Sequence, residues 1–241
     1  MHLSIIIPAW NEEQLLPATL AALWSATAPL TEAGLTHEVI VCDNNSTDRT
    51  ADIAREHGAR VVHEPVNQIS RARNAGASVA SGEWLLFLDS DSVPSAPLMT
   101  ELAAALRDDS LLYGGCALVM DEVRPGTRFF LGVWHWIAKF RQWAAGSFLF
   151  CRRAAFEETG GFSTELYASE EIDLSKRLKK IARAQNRRFV FFTAHPLLTS
   201  ARKLKVRGVW WHAGFVLRTA LCLGKNLKRR DGCDLWYDGR R

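Results

Sequence analysis

The sequence predicts an α/β domain: a mixed, mostly parallel central sheet with helices on its faces. Three observations predict it. Short β-branched apolar runs alternate with longer helical stretches, several of these runs end in acid- or amide-rich loops, and no uninterrupted apolar run reaches the ~18 residues of a membrane-spanning helix. At 241 residues the chain suits one large domain, since a single core keeps growing to about 250–300 residues before chains divide.

Residues 3–7, with Ile5, Ile6 and Ile7, form the first expected strand; Pro8 and Asn11 end its apolar run, which excludes a signal peptide. Residues 38–42 and 60–63 supply two more strands, with helices expected over 12–25 and 50–57 between them. A helix near 71–80 leads to a fourth strand at 84–88. The second half is less regular. A helix is expected over 95–107 and a strand over 113–120, then an aromatic stretch at 129–143 holding Trp134, Trp136 and Trp143. Residues 146–151 and Gly160-Gly161-Phe162 follow, then a helix over 170–181 with Leu174, Leu178 and Ile181 on one face, and an apolar strand at 189–192.

Hydrophobic residues make up 48% and charged residues 23% of the chain, the balance of an ordinary folded protein without repeats or low-complexity segments. Five scattered cysteines form no C-x-x-C pair and no zinc pattern, which points to a reducing cytoplasm. Net charge is only +4, but cations crowd the segment 201–241, and this asymmetry points to an anionic surface or ligand.

In open α/β sheets ligands sit beyond the carboxyl ends of the strands, where loops converge and helix N-termini point inward. Pro8-Ala9-Trp10-Asn11-Glu12 follows the first strand, Asp43-Asn44-Asn45-Ser46-Thr47-Asp48 the second and Asp89-Ser90-Asp91 the fourth. In an extended segment Asp89 and Asp91 point the same way and can hold a hard cation and a ribose. Taken alone, Asp-Ser-Asp is equally a turn or helix-cap cluster.

Ser4-Ile5-Ile6-Ile7-Pro8-Ala9-Trp10-Asn11-Glu12-Glu13, Val41-Cys42-Asp43-Asn44-Asn45-Ser46-Thr47-Asp48, Arg71-Ala72-Arg73-Asn74-Ala75-Gly76 and Phe87-Leu88-Asp89-Ser90-Asp91 together resemble the successive motifs of family 2 glycosyltransferases, over roughly residues 3–182. The resemblance implies a GT-A fold, a nucleoside-diphosphate sugar as donor with a UDP-sugar as the default, a divalent cation (Mn²⁺ or Mg²⁺), and inversion at the anomeric carbon. By position it implies that Asp43 bonds the nucleobase, and that Pro8, Ala9, Trp10, Glu12 and Asn45 line the nucleoside pocket. It also implies that Asp89 and Ser90 face the ribose or sugar, that Asp91 binds metal with Asp89 beside it, and that Arg71, Arg73 or Asn74 lies near the donor. Family members often carry Asp-Asp-Gly-Ser after the second strand; here Asn44 and Asn45 replace the second Asp and the Gly.

Glu170-Glu171-Ile172-Asp173 resembles the family's later acidic motif, which places Glu171 as catalytic base with Glu170 and Asp173 as substitutes. Ser169 reads equally as an N-cap, and acids in a first turn are favoured by the helix dipole whatever the function. His195 is a candidate third metal ligand, and residues 199–203 are a basic loop that can approach the diphosphate. The aromatic stretch admits three readings: a buried amphipathic helix, a sugar-stacking wall or a membrane-interface element.

The resulting expectation is a glycosyltransferase domain over 1–200. Its Rossmann-like nucleotide-binding half is residues 1–91 and its acceptor half 92–200, followed by a basic, aromatic-rich segment at 201–241. The acceptor is an unidentified sugar, lipid or small molecule; no nucleic acid is expected as partner. A cytoplasmic protein is expected, peripheral to the inner face of a membrane through the 201–241 segment. The rivals are a nucleotidyltransferase, disfavoured by the lack of a glycine-rich phosphate loop near the N-terminus, and a non-catalytic membrane- or nucleic-acid-binding module on the same fold. A dinucleotide-dependent oxidoreductase is disfavoured by the lack of G-x-G-x-x-G.

Overall fold

The N-terminal apolar run becomes β1 (His2–Ala9), buried over nearly its whole length because strands pair with it on both sides. The computed structural model describes residues 1–121, 125–144, 146–202 and 225–233. β2 (Thr36–Asp43) adds in parallel to one edge of β1, and β3 (Arg60–His63) adds in parallel to β2; β4 (Trp84–Leu88) adds in parallel to the other edge. The crossovers are α1 (Leu16–Ala26) with the short α2 (Ala28–Glu32), then α3 (Thr50–Glu56) and α4 (Ile69–Ser78). Pro8 is tolerated inside β1 because pairing with β4 stops at Ile6↔Phe87, leaving no ladder to interrupt on that edge.

The chain continues through β5 (Ser92–Val93), α5 (Ala96–Leu106), β6 (Leu111–Met120), α6 (Pro125–Arg141), β7 (Phe148–Arg152), α7 (Arg153–Thr159), α8 (Glu170–Ala184) and β8 (Arg188–Thr199). These strands complete one sheet in the order β3-β2-β1-β4-β7-β6-β8-β5, in which β7 runs antiparallel to both its neighbours. The sheet cannot be flat. Only Asp89-Ser90-Asp91 joins β4 to β5, a reach of at most about 14 Å, whereas four strand spacings in a flat sheet would need about 19 Å. The β7-β6-β8-β5 side therefore curls back until β5 and the end of β8 lie beside the end of β4.

Alternation along β1 feeds two cores. Leu3, Ile5, Ile7 and Ala9 pack with α1 and α5 on one face, and Ile6 packs with Ile40, Phe87 and Phe162 on the other. Cys42, Cys116 and Cys151 are free and buried in β2, β6 and β7, and burial raises the thiols of Cys42 and Cys116 to about 12, so they behave as core residues.

The differences from expectation have local causes. The first helix starts at Leu16 rather than 12, because the backbone N–H groups of Glu12 and Glu13 donate to Thr50 Oγ1 (2.7 Å) and Asp48 Oδ2 (3.2 Å). The strand expected at 189–192 runs on to Thr199, with an irregularity opposite Cys116 and Leu118. The helices α2 and α7 and the two-residue β5 are too short to show a period. The aromatic stretch becomes α6, whose Leu131 and Ala138 are buried, while the Leu118 N–H donates to His135 Nε2 at 2.9 Å. Of the expected 201–241 segment, 203–224 and 234–241 lie outside the described residues, Trp210, Trp211, Phe215 and Leu217 among them. Residues 225–233 form two 3-10 turns, with Tyr167 N donating to Leu227 O at 2.8 Å.

Gly76 shows how closely α4 lies on β1: a Cβ there would meet Ile6 Cγ2 at 2.5 Å. Gly76→Ala is therefore expected to destabilise by ~1–3 kcal/mol through overpacking. In urea titrations, Ile6→Ala should cost less in the Gly76→Ala background than alone. Additive losses would show that the contact does not set the spacing.

Candidate functional site

The parallel strands β1, β2 and β4 deliver their following loops to one edge of the sheet. The first two loops are knitted together. Asn11 N donates to Ser46 Oγ (2.9 Å), Asn11 Oδ1 accepts from Thr47 N (2.8 Å), and Glu13 Oε2 accepts from Arg49 N (3.2 Å). Asp43, the last residue of β2, is 7% exposed; its Oδ1 accepts from Ser46 N (3.1 Å) and its Oδ2 lies 3.2 Å from His63 Nδ1. Asn44 is buried and donates to Glu64 O and Val66 O. Asn45 has φ 65°, a left-handed conformation that glycine adopts freely and asparagine tolerates. That is how Asn45 replaces the family's usual glycine. Pro8 and Ala9 are buried beside this loop as the last residues of β1, in register with Cys42 and Asp43, and Trp10 is half-buried next to them.

Asp89 leaves the end of β4 with its carboxylate held on both sides: Arg73 Nη2 donates to Oδ1 at 2.9 Å and Ser147 Oγ to Oδ2 at 2.9 Å. Arg73 lies on the inward face of α4 with Ala72 and Gly76, at 2% exposure. Its Nη1 donates to Glu170 Oε1 at 2.7 Å, its guanidinium lies 5.2 Å from the centre of the Phe162 ring, and its Nε is buried without a hydrogen-bond partner. Gly146 permits this approach, since a Cβ there would meet Arg73 Nη2 at 2.6 Å. The three candidates on α4 have different surroundings. Arg73 lies beneath the site as a bridge between two carboxylates, and Asn74 uses both ends of its amide on the Phe162 backbone (2.8 and 2.9 Å). Arg71 is exposed, with Nε donating to Gln68 Oε1 at 3.2 Å.

The turn sends Asp91 towards β8, where Thr199 Oγ1 lies 3.5 Å from Oδ1 and Arg202 Nη2 lies 3.8 Å from Oδ2. Ser90 is buried, and its carbonyl accepts from Thr19 Oγ1 at 2.8 Å, which fixes the turn. Arg202 also grips buried Glu12 with two bonds, Nη1 to Oε2 at 3.3 Å and Nη2 to Oε1 at 3.0 Å. The first and third loops are thus tied by a cation from the end of β8. His195 is exposed, and its Nδ1 lies 2.8 Å from Glu101 Oε1 of α5.

Among the described residues no three His, Cys, Asp or Glu side chains converge as a closed metal site. The donors present nevertheless fit a hard divalent cation of the kind that takes one or two carboxylates and fills its other positions with phosphate oxygens and water. Asp91 is such a carboxylate, and a positive group, the Arg202 guanidinium, already lies against it.

At the start of α8 the three acids separate. Glu170 is buried against Arg73, and Asp173 is clamped by Arg177 Nε (2.9 Å) and Nη2 (2.7 Å). Glu171 makes no ion pair among the described residues. Burial first, then the charge of Glu170 and to a lesser degree that of Asp89, raise its pKa well above the usual carboxylate range, against the opposing pull of Arg73. Ser169 does not cap the helix: its φ is 61° and its side chain makes no cap bond. Ser147 carried no signal in the sequence, and Arg202 was visible there only as one cation of a basic loop.

Comparison with known proteins agrees with this geometry. The model of the family described as Glycosyl transferase family 2 matches residues 4–159. An uncharacterized glycosyltransferase of Mycobacterium tuberculosis is 35% identical over 136 residues, 56% of this chain and 54% of that one. The chain thus spans about half the length of the curated relatives it matches. Among solved structures, S. aureus TarS 1-349 in complex with UDP-GlcNAc has a TM-score of 0.65 at 21% identity, covering 83% of this chain and 58% of that one. Glucosyl-3-phosphoglycerate synthase from Mycobacterium tuberculosis, in complex with Mn²⁺, UDP-glucose and phosphoglyceric acid, has a TM-score of 0.57 at 23% identity, covering 85% and 73%. The fold is GT-A.

Removing the buried guanidinium should strand two carboxylates. Arg73→Met is expected to destabilise by about 3–5 kcal/mol in chemical denaturation, and Arg73→Met/Glu170→Gln should recover part of the loss. Recovery absent from the double variant would mean that Glu170 does not depend on Arg73.

Proposed function

The chain belongs to glycosyl transferase family 2, and from that premise we propose that it transfers a sugar from a nucleoside diphosphate to a hydroxyl acceptor with inversion at the anomeric carbon. The state of Glu171 carries this reading: of the three acids that open α8 it makes no ion pair among the described residues, and its raised pKa suits a general base. Asp43 and the loop from Pro8 to Glu12 hold the nucleoside, with Asn45 shaping the pocket wall. Asp89, oriented by Arg73 and Ser147, and Ser90 face the ribose or sugar.

In the reaction the acceptor oxygen forms a bond to the anomeric carbon while the bond from that carbon to the diphosphate oxygen breaks. Glu171 takes the acceptor proton, and the electron pair of the broken bond leaves on the diphosphate. Asp91 would hold a Mn²⁺ or Mg²⁺ ion, which would supply charge stabilisation for that leaving group. Arg202, tethered to Glu12, adds a second positive charge at the same end of the site. A UDP-sugar is the default donor, supported by the UDP-sugars bound in the two solved neighbours.

Glu171→Gln is expected to lower kcat about 10²–10⁴-fold with donor affinity retained. Asp173→Asn should turn over like the parent, whereas Glu170→Gln should lose stability. Because the base must be ionised, kcat/KM should rise with pH through a limb above the ordinary carboxylate range, and Glu171→Gln should abolish that limb. Turnover of Glu171→Gln at the parental rate would sink the assignment. Separately, a thermal-shift screen of UDP, GDP, dTDP and CDP with and without Mn²⁺ should show one metal-dependent stabilisation, lost in Asp91→Ala. A folded Asp91→Ala protein with unchanged Mn²⁺-dependent nucleotide binding would remove Asp91 as the ligand.

A further inference from the structure

Helix α6 has two faces of unusual contrast. Leu131, His135 and Ala138 face β6 and β8, as their helical spacing requires. On the opposite side Val133, Trp136 and Phe140 form an outward apolar stripe. Trp136 is 69% and Phe140 73% exposed, and their rings stack on each other at 5.7 Å and 3° rather than on the protein. Large aromatic groups left in water at i, i+4 spacing on one face mark a contact surface.

The flank of this stripe is positive. Arg141, at the end of α6, and Lys176 of α8 lie over the ring of Trp143 at 5.4 and 5.6 Å, and Lys179 Nζ donates to the Arg141 carbonyl at 3.1 Å. Burial and the like charges of Arg183 and Arg141 lower the pKa of Lys179, as expected of cations packed without a counter-charge. None of these four cations is in an ion pair among the described residues, and residues 131–144 and 174–184 contain no Asp or Glu. Outward aromatic rings beside uncompensated Lys and Arg are the chemistry of an element lying in a lipid interface.

We propose that the outer face of α6 with the adjoining cations of α8 docks on an anionic lipid bilayer surface. The charge excludes a neutral apolar partner as the best fit: four clustered cations call for an anionic surface, and the stacked Trp136–Phe140 pair supplies the group that enters it. The same docking would bring the acceptor side to the bilayer, because the chain beyond Arg141 leads to Ser147, which holds Asp89. That consequence rests on the transferase reading; the docking itself does not.

The test uses the full chain with its basic C-terminal residues intact and sedimentation with vesicles of phosphatidylcholine containing about one part in three phosphatidylglycerol. Trp136→Ser/Phe140→Ser is expected to lower partitioning at least about tenfold, and Lys176→Glu/Arg183→Glu should lower it most at low salt. Brominated lipid should quench parental tryptophan fluorescence more than that of Trp136→Phe. Circular dichroism and nucleotide-induced thermal shifts, unchanged in all variants, keep loss of docking distinct from loss of fold or of donor binding. Parental binding by the double-serine variant would overturn the proposal, as would equal binding to pure phosphatidylcholine. A parental dimer that Trp136→Ser/Phe140→Ser converts to a monomer, with no vesicle binding by either, would assign the face to a second copy instead and likewise overturn it.

Discussion

A guanidinium at 2% exposure must be neutralised, and among the described residues Arg73 pairs with two carboxylates drawn from distant parts of the chain: Asp89 at the end of β4 and Glu170 at the start of α8. The rest of the site depends on this bridge. It fixes the carboxylate of Asp89 at the mouth of the sheet, and it anchors the first turn of α8, whose Ser169 makes no side-chain cap bond. Gly146 leaves room for this bridge, since a Cβ there would meet Arg73 Nη2 at 2.6 Å. A bridge this well buried gives geometric definition rather than stability, since paired ions lose most of their attraction to desolvation.

The same bridge accounts for the difference between neighbouring acids. One guanidinium faces Asp89 and Glu170, so the buried set already carries a net negative charge when both are ionised. Ionising Glu171 adds another negative charge to a poorly solvated place, and its pKa rises as a result. Asp173 lies instead on the helix surface, clamped by Arg177, with 39% of its side chain exposed. Three acids within one helical turn thus acquire three roles from their surroundings: structural anchor, candidate base and surface ion pair.

Much of the N-terminal half was legible in the sequence. The strands at 3–7, 38–42, 60–63 and 84–88 showed as β-branched or apolar runs, and each polar loop that mattered followed one of them. Asn45 was legible as a replacement for glycine, and its positive φ supplies the reason. Arg71 and Arg73 were not separable, because which of two nearby residues faces inward depends on the rotation of α4, and only packing against β1 sets that. His195 illustrates a different limit: a histidine after an apolar strand has no sequence signal that its neighbour will be Glu101 on α5 rather than Asp91. Ser169 had the right residue type for a cap but takes a left-handed backbone that withdraws it.

The least legible feature is the curl of the sheet, and it follows from chain length rather than from any motif. Three residues between β4 and β5 cannot cross a flat sheet, so the edge carrying β8 must return to them. The pairing this creates, Ser92 with Thr199, joins residues more than a hundred positions apart, beyond any local pattern. Yet it brings Thr199 and Arg202 to Asp91 and Glu12, so the positive charge beside Asp91 is set by the shortness of the Asp89-Ser90-Asp91 link. Lengthening that link would relax the curl and separate Arg202 from Asp91 without touching either residue, which makes the link's length, as much as its acids, part of the site.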